Sequence, residues 1–132
     1  MNETEYSAKV HNAIDQPGGV FELRTYVTNP GKLDALNQRF ADHTAGLFQK
    51  HGMKNFGYWI PFDTPDSQNT LIYLLHHESR QQADANWKAF VSDPDWQKAR
   101  QESEKNGTIL AQAPDRIILR ALDFSPTERA KK

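Results

Sequence analysis

Apolar and polar residues alternate between Val20 and Val27, a pattern typical of a strand with two different faces. One face is predicted to carry Phe21, Leu23 and Val27, and the other Glu22, Arg24 and Tyr26. A second run, Leu71 to Leu75, is almost entirely apolar, which favours a strand that is covered on both faces.

The first strand leads into an amphipathic stretch. Asn29 is suited to cap a helix and Pro30 to occupy its first position, whereas Gly52 is suited to end it. The buried side of this helix is predicted from residues three and four positions apart, namely Leu33, Leu36, Phe40, His43 and Leu47.

The second strand leads into another amphipathic stretch. Ser79 and Gln82 have the spacing of a capping box, and Trp87 is predicted on the buried side of the helix that follows. Asp93 and Pro94 together resemble a new cap and first helical residue, so they predict a separate short helix.

Two further alternating segments complete the pattern. Residues 53 to 62 are predicted as a strand that shares one face among Phe56, Tyr58, Ile60 and Phe62, and the polar residues that follow predict a hairpin turn. Residues 116 to 122 are predicted as the last strand. The order β-α-β-β-α-β predicts an α+β, ferredoxin-like fold: a four-stranded antiparallel sheet with helices on one face.

The other face of this sheet would have no helix to cover it, although its residues are largely apolar or aromatic. A large exposed apolar surface is unfavourable in a monomer. A two-fold dimer in which two sheets close over each other would bury it, so we expect a homodimer.

The length of 132 residues is that of one domain. Residues 1 to 19 are polar and end in Pro17-Gly18-Gly19, so they are predicted to form a flexible N-terminal arm. Residues 20 to 126 form the predicted domain. Residues 127 to 132 are rich in Lys and Arg and are predicted to be a frayed C-terminal tail.

Composition narrows the function classes. The formal net charge is -1, so we expect neither a nucleic acid nor an acidic membrane as partner. Cysteine is absent, which excludes thiol catalysis and thiolate metal sites. No apolar run approaches the roughly 20 residues that cross a bilayer, and residues 1 to 19 lack the apolar core of a secretion signal. A soluble, cytoplasmic protein is therefore expected.

Seven short motifs occur at distinctive positions: Phe21 to Tyr26, Pro30-Gly31, Lys50 to Gly52, Gly57 to Trp59, Trp87 to Phe90, Asp93 to Trp96, and Phe124 to Pro126. In this order and spacing they resemble the NIPSNAP family, and the resemblance covers residues 20 to 126. It implies a dimeric α/β barrel of ferredoxin-like subunits but no particular reaction. Similar barrels include cofactor-independent monooxygenases and haem-handling proteins, an analogy of fold that does not determine function.

His43 is a candidate functional residue because it lies on the predicted buried side of the first helix. It is either a core histidine bonded to a neighbour, or a pocket base or axial ligand, since such folds can hold a small molecule between helices and sheet. His76 and His77 are predicted to point to opposite faces of one strand and cannot bind one metal together. No metal site is predicted.

Arg24 and Tyr26 are predicted to share a strand face with Glu22. They form either a structural network in which Arg24 pairs with Glu22, or a ligand site in which Arg24 holds an anionic group and Tyr26 donates a hydrogen bond. Arg116 or Arg120 could join either arrangement. Tyr58 and Trp87 belong to an aromatic set that either fills the core or lines a site for a flat ligand.

We therefore expect a homodimer that binds a small, partly apolar or aromatic molecule between helices and sheet. The pocket candidates are Arg24, Tyr26, His43, Tyr58 and Trp87. No catalytic residue or cofactor is predicted, and an enzymatic activity would be cofactor-independent, such as oxygenation of an activated aromatic ring. The alternatives are a non-catalytic interaction module and a haem-binding protein. A filled space under the helices would favour the module, and an open cavity lined by His43 and aromatic residues would favour the binding protein.

Overall fold

The computed structural model describes residues 18–126. The strands in this part are β1 (Val20–Val27), β2 (Lys54–Trp59), β3 (Thr70–His77) and β4 (Asp115–Leu119). The α-helices are α1 (Leu33–Arg39), α2 (Ala45–Lys50), α3 (Arg80–Val91) and α4 (Pro94–Ser103). A π-helical turn (Phe40–Thr44) joins α1 to α2, and a 3-10 turn (Asp66–Gln68) precedes β3.

The strands form an antiparallel sheet in the order β2-β3-β1-β4. The predicted α+β, ferredoxin-like fold is therefore confirmed. The predicted tail and all of the predicted arm except Gly18 and Gly19 lie outside the described residues. Within residues 18–126, no helix combines the length and apolar character that crossing a bilayer requires.

The predicted start of the first helix at Pro30 is wrong. Gly31 has φ of +77°, a left-handed conformation that cannot continue a right-handed helix, so α1 begins only at Leu33. The Asn29 side chain does not cap this helix, because its amide donates to the carbonyl of Thr108 at 2.9 Å. Asn29 therefore ties the β1 end to the loop before β4.

The predicted starts of the two later helices are confirmed. The Ser79 hydroxyl accepts a hydrogen bond from the backbone N–H of Gln82 at 2.9 Å, which caps α3. The Asp93 carboxylate accepts from the N–H of Asp95 at 2.8 Å, and Pro94 is the first residue of α4.

The π-helical turn changes which residues of the first helix are buried. In an α-helix a step of four residues overshoots a full turn by about 40°. The wider π turn removes much of that overshoot, and Phe40, Thr44 and Phe48 are all buried. His43 is exposed, so its predicted position on the buried side is wrong.

A β-bulge changes the faces of β2. The pairing with β3 shifts between Asn55 and Gly57, which leaves Phe56 as an extra residue. Phe56 therefore packs edge-on against Phe21, on the face opposite Tyr58. The prediction that Phe56 and Tyr58 share a face is wrong, and regular pairing ends at Trp59, before Ile60 and Pro61.

The two faces of the sheet have different surroundings. The helices cover one face, and the core between them includes Leu36, Phe40, Phe48, Tyr73, Leu75 and Phe90. The opposite face, here called the open face, exposes apolar side chains on both outer strands. Trp59 of β2 is 53% exposed and Ile117 of β4 is 55% exposed.

Candidate ligand-binding site

A buried carboxylate lies at the centre of the helix-covered face. Glu22 of β1 is fully buried, and one of its oxygens accepts hydrogen bonds from His77 Nε2 and Trp87 Nε1, each at 2.7 Å. Its other oxygen accepts from Arg116 Nε at 2.8 Å and from Arg24 at 3.2 Å. Four donors from four elements thus surround one carboxylate.

The Arg24 guanidinium is likewise surrounded by hydrogen-bond acceptors. Its Nε donates to the Tyr73 hydroxyl and one terminal nitrogen to the Tyr26 hydroxyl, both at 3.0 Å, while the other terminal nitrogen reaches Glu22. Its guanidinium also lies 4.1 Å from the centroid of the Trp87 ring, a cation–π contact. All three guanidinium nitrogens therefore have protein partners.

The group extends into α3 through a second histidine contact. His77 Nδ1 lies 3.1 Å from the Asn86 amide nitrogen, and that amide also donates to the Gly52 carbonyl at 3.3 Å. We call this set the central network; it consists of Glu22, Arg24, Tyr26, Tyr73, His77, Asn86, Trp87 and Arg116. It connects three strands to α3 and to the end of α2.

The electrostatics of the central network favour fixed charges. Burial alone would raise the pKa of Glu22, but hydrogen bonds from His77 and Trp87 and the nearby arginine charges outweigh it and lower the pKa to about 2. Burial also raises the pKa of Tyr73 well above its usual value. Glu22 is therefore ionised and Tyr73 neutral at pH 7, so neither is poised to exchange a proton there.

An open space lies at the β2 end of the same sheet face. This space, called the edge cavity, measures ≈ 400 Å³. It is lined by Asn37, Phe40, Ala41, Ala45, Tyr58, Trp59, Ile60 and Leu71. The helix α1, the π turn and the start of α2 form one wall, and β2 forms the other.

The sequence creates this cavity by placing short side chains on one helix wall. Asn37, Ala41 and Ala45 are spaced four residues apart and face the cavity. The two alanines reach little beyond the backbone, so the helix cannot fill the space opposite β2. Phe40 provides a ring at the base of the cavity, 5.6 Å from the ring of Tyr58.

The opposite wall is held in place by hydrogen bonds. The Tyr58 hydroxyl donates to Asn55 Oδ1 at 2.5 Å, and the Asn55 amide donates to the Ala45 carbonyl at 2.9 Å. The Tyr58 ring stacks on Tyr73 with centroids 5.2 Å apart. These contacts fix the Tyr58 ring relative to the helix, so the cavity wall is preorganised.

Trp59 lines the cavity but turns its ring towards the open face. A Cβ atom on Gly57 would lie 2.5 Å from Cη2 of the Trp59 ring, so the indole packs directly over this glycine. Only a glycine permits that approach. Trp59 therefore belongs both to the lining of the edge cavity and to the open face.

The edge cavity differs from the centre in its charge. None of its lining residues, all of which belong to the described part of the chain, has an ionisable acid or base except the Tyr58 phenol. Burial raises the pKa of Tyr58, so this phenol stays neutral. The polar side chains of the wall are the Asn37 amide and the Tyr58 hydroxyl, and the remaining lining is apolar apart from the Trp59 indole.

The structure separates the predicted site residues into three places. Arg24, Tyr26 and Trp87 meet in the central network, where Arg24 pairs with Glu22 and Arg116 joins. Tyr58 lines the edge cavity. His43 lies in neither place. Their predicted roles in ligand binding stay predictions, although the contacts of Arg24 support the structural alternative.

His43 contributes to a separate surface depression between the π turn and α4. This depression measures ≈ 440 Å³ and is bordered by Asp42, Asp95, Lys98 and Glu102. Its charged and exposed border is unlike a pocket for an apolar molecule. No group of three acidic or histidine side chains with the arrangement of a metal site occurs within residues 18–126.

Sequence reasoning missed two sets of residues. Tyr73 and His77 share the helix-covered face because they are four positions apart on β3, a signal that the alternation of the strand contained. Asn37, Ala41 and Ala45 were missed because they lie outside the predicted buried stripe of the first helix. Their regular spacing of small residues beside a large aromatic is the signal that could have indicated a cavity.

Comparisons with known proteins agree with this architecture. The family model described as NIPSNAP matches residues 21–126. An uncharacterised NIPSNAP-like domain protein from Burkholderia xenovorans superposes with a TM-score of 0.70 at 19% identity, covering 84% of this chain and 91% of that one. A NIPSNAP family protein of unknown function from Agrobacterium tumefaciens gives a TM-score of 0.67 at 17% identity, covering 82% of this chain and 92% of that one.

A more distant similarity involves an enzyme. A monooxygenase from Streptomyces coelicolor, solved in complex with nanaomycin D, superposes with a TM-score of 0.53 at 14% identity, covering 82% of this chain and 92% of that one. At this identity the similarity concerns the fold alone. A comparison with curated proteins finds no match.

Proposed function

This chain belongs to the NIPSNAP family, and we propose that it is a homodimer that binds a small aromatic molecule in the edge cavity. One observation carries the proposal. The edge cavity is an apolar space of ≈ 400 Å³ beside the filled centre of the same sheet face. Small-molecule sites in proteins measure roughly 300–1,000 Å³ and are mostly apolar, with a few polar groups.

The shape of the lining supports an aromatic ligand. Phe40 and Tyr58 offer ring surfaces at the base and one wall, while Ala41 and Ala45 leave a narrow space opposite them. A flat ring can stack on such a surface, and aromatic pairs add about 0.5–1.5 kcal/mol beyond the area they bury. A charged ligand would find no opposite charge among the lining residues.

The contrast between centre and edge bears on the interaction-module alternative. The space under the middle of the helices is filled by the central network, which supports a structural role for Arg24, Tyr26 and Trp87. The space under α1 and the π turn is open and lined by aromatic residues, which supports the binding protein, although His43 does not line it as expected. We therefore propose that the contacts of Arg24 and Trp87 stabilise the fold and that the ligand binds in the edge cavity.

The dimer is supported by the open face. Trp59, Ile117 and Leu119 are exposed there on strands at opposite edges of the sheet. A second copy that packs its own open face against them would remove these side chains from water. Sedimentation equilibrium at micromolar concentration tests this: a mass of one subunit would overturn the dimer.

An enzymatic version of the proposal rests on fold analogy. The Streptomyces coelicolor monooxygenase shares the fold and was solved with nanaomycin D. Oxygenation of an aromatic ring bound in the edge cavity is therefore the activity to assay. Oxygen consumption with each bound aromatic compound, and mass spectrometry of the product, would detect it. Bound compounds recovered unchanged would leave a binding protein without this chemistry.

The binding experiment is a thermal-shift screen of neutral aromatic compounds, followed by calorimetry of the hits. We expect hits to raise the melting temperature of the native chain and of Ala35→Phe, a substitution on an exposed part of α1 outside the cavity. The same hits should not change the melting temperature of Ala41→Phe, because the new ring occupies the edge cavity. A screen without hits would count against the proposal, and a Soret shift on adding haem would support the haem alternative instead.

A further inference from the structure

One side chain belongs both to the edge cavity and to the open face. Trp59 pairs with Ile72 at the end of β2, and its neighbour Tyr58 pairs with Tyr73 of the core, so the two side chains point to opposite faces of the sheet. The Trp59 ring packs over Gly57 on the open face, yet Trp59 also lines the edge cavity. A surface that covers the open face at this corner therefore contacts the cavity wall.

The cavity wall is supported unevenly along β2. Tyr58 is held within the chain by its hydrogen bond to Asn55 and by its stacking on Tyr73. Regular pairing ends at Trp59, and both Trp59 and the next lining residue, Ile60, are about half exposed. A ligand that contacts these two side chains must order them, which weakens its binding. A surface packed on Trp59 would order this part of the wall beforehand.

The corners of the open face indicate that this surface is a second copy of the chain. By register with β3 and β1, Lys54 at the start of β2 and Asp115 at the start of β4 belong to the open face. Because β2 and β4 are the outer strands and run in opposite directions, this base and this acid lie at diagonally opposite corners. Trp59 and Leu119, which are exposed and apolar, occupy the other two corners.

This pattern of corners is self-complementary. Four strands span about 14 Å between the outer two, and the four steps from Asp115 to Leu119 span about 13 Å, so the corners form nearly a square. A two-fold axis between two such sheets, along the diagonal from Trp59 to Leu119, brings Lys54 of each copy opposite Asp115 of the other. The apolar corners then meet their own counterparts, and the strands of the two sheets cross steeply, as in orthogonal packing.

We infer that the second copy completes the edge cavity by packing on Trp59, so that an aromatic ligand binds the dimer more tightly than a single chain. This inference rests on the proposed function and links its dimer to its ligand site. Linkage requires the converse, namely that a ligand in the cavity stabilises the dimer. Because the dimer has two cavities, its dissociation constant changes by the square of the change in ligand affinity.

The first test measures this linkage with 1-naphthol as a neutral aromatic probe. An affinity difference of about fivefold, the low end of ordinary coupling, predicts that saturating 1-naphthol lowers the dimer dissociation constant of the native chain about 25-fold in sedimentation equilibrium. Ile117→Lys changes the opposite edge of the sheet and should give a monomer. Calorimetry should show that this monomer binds 1-naphthol about fivefold more weakly. Val91→Lys, on the helical side, should bind it as the native chain does.

The second test reverses the charges at the corners of the open face. Lys54→Glu and Asp115→Lys each bring like charges together across the proposed axis, so each should weaken the dimer about tenfold. The two substitutions combined should restore the dimer, and the affinity for 1-naphthol should fall and recover in parallel. Restoration requires a folded chain, so a variant that merely fails to fold cannot imitate it.

The outcomes separate this inference from the proposed function. If 1-naphthol binds the native dimer but leaves its dissociation constant unchanged, or raises it, the completed cavity is overturned while the dimer and the ligand site remain. Single charge reversals that leave the dimer intact, or a combination that does not restore it, would overturn the arrangement about this axis. A native chain that sediments as one subunit, or that does not bind 1-naphthol, would overturn the inference together with that part of the proposed function.

Discussion

The space between the sheet and the helices is filled at the centre of the sheet and open at its β2 edge. At the centre, Glu22 is buried and Arg24 half-buried, and both charged groups are surrounded by partners. At the edge, Ala41 and Ala45 leave a space lined mainly by apolar groups. Charged groups whose hydrogen bonds are already made within the protein are poor ligand contacts, whereas an unfilled cavity has room for a ligand. The comparison directs the search for function away from the charges.

The largest effect is expected at the centre, from Glu22→Gln. The substitution removes the negative charge and leaves Arg24 and Arg116 facing a neutral amide that cannot accept from all four donors. Removing one partner of a buried ion pair costs about 3–5 kcal/mol. Urea denaturation should show a loss of this size in the free energy of unfolding.

The matched control for this variant is Glu78→Gln, an exposed glutamate at the end of β3. It should change stability by less than about 0.5 kcal/mol. The folded fraction of Glu22→Gln should still bind the compound that the edge cavity binds. A loss below 1 kcal/mol for Glu22→Gln would mean that the central network is not a structural element.

The next effect concerns the open face. Ile117→Lys places a charge where the proposed dimer buries an apolar side chain, and two-fold symmetry repeats the change in both copies. The loss of apolar burial alone is about 3 kcal/mol for the pair. Analytical ultracentrifugation should show a shift from dimer to monomer. Val91→Lys, at the end of α3 on the helical side and equally 55% exposed, should leave the mass unchanged. An unchanged dimer in Ile117→Lys would exclude β4 from it.

A smaller effect is expected when the edge cavity is filled. Ala41→Phe puts a ring into the space that the ligand needs, so the affinity for an aromatic hit should fall about 30-fold, or roughly 2 kcal/mol. Calorimetry measures it, with Ala35→Phe as the matched substitution outside the cavity. Equal affinity in both variants would show that the ligand binds elsewhere.

The smallest effect is the pH dependence of the centre. The pKa of Glu22 is about 2 in the folded chain, whereas the ordinary value expected in the unfolded chain is 4.5. Because the folded pKa is lowered, Glu22 contributes stability that is full above about pH 4.5 and is lost as the pH falls towards 2. From pH 7 to pH 3.5 this loss is about 1 kcal/mol.

Comparison with Glu22→Gln isolates this contribution, because Asp84 and Asp93 also have lowered pKa values and destabilise the fold in the same acidic range. The variant should lose less stability than the native chain between pH 7 and pH 3.5. If urea denaturation showed the same loss of stability between pH 7 and pH 3.5 in both proteins, the assignment of a lowered pKa to Glu22 would be contradicted.

Most of the fold could be predicted from local patterns. Strand alternation in β1 and the caps at Ser79 and Asp93 depend on a few neighbouring residues, and the structure confirms them. The errors lie where a tertiary contact overrides a local preference. Asn29 could cap a helix, yet its side chain bonds to Thr108, and Gly31 delays the helix start.

The candidate site was harder to predict for the same reason. An α-helical period places His43 on the buried side, but the π turn brings Thr44 there instead. A strict two-residue period places Phe56 with Tyr58, but the bulge at Asn55 and Gly57 separates them. Both irregularities add a residue to the repeat, and both occur beside the edge cavity. No single-residue preference in the sequence indicates where such an insertion falls.

The most direct test of the account follows two asparagine side chains by nuclear magnetic resonance. Asn37 lies in the edge cavity and Asn86 in the central network, so their side-chain amide signals report on the two regions during one titration with 1-naphthol. The account predicts that the Asn37 amide signals shift in proportion to ligand occupancy while those of Asn86 stay in place. Shifts at Asn86 without shifts at Asn37 would contradict it.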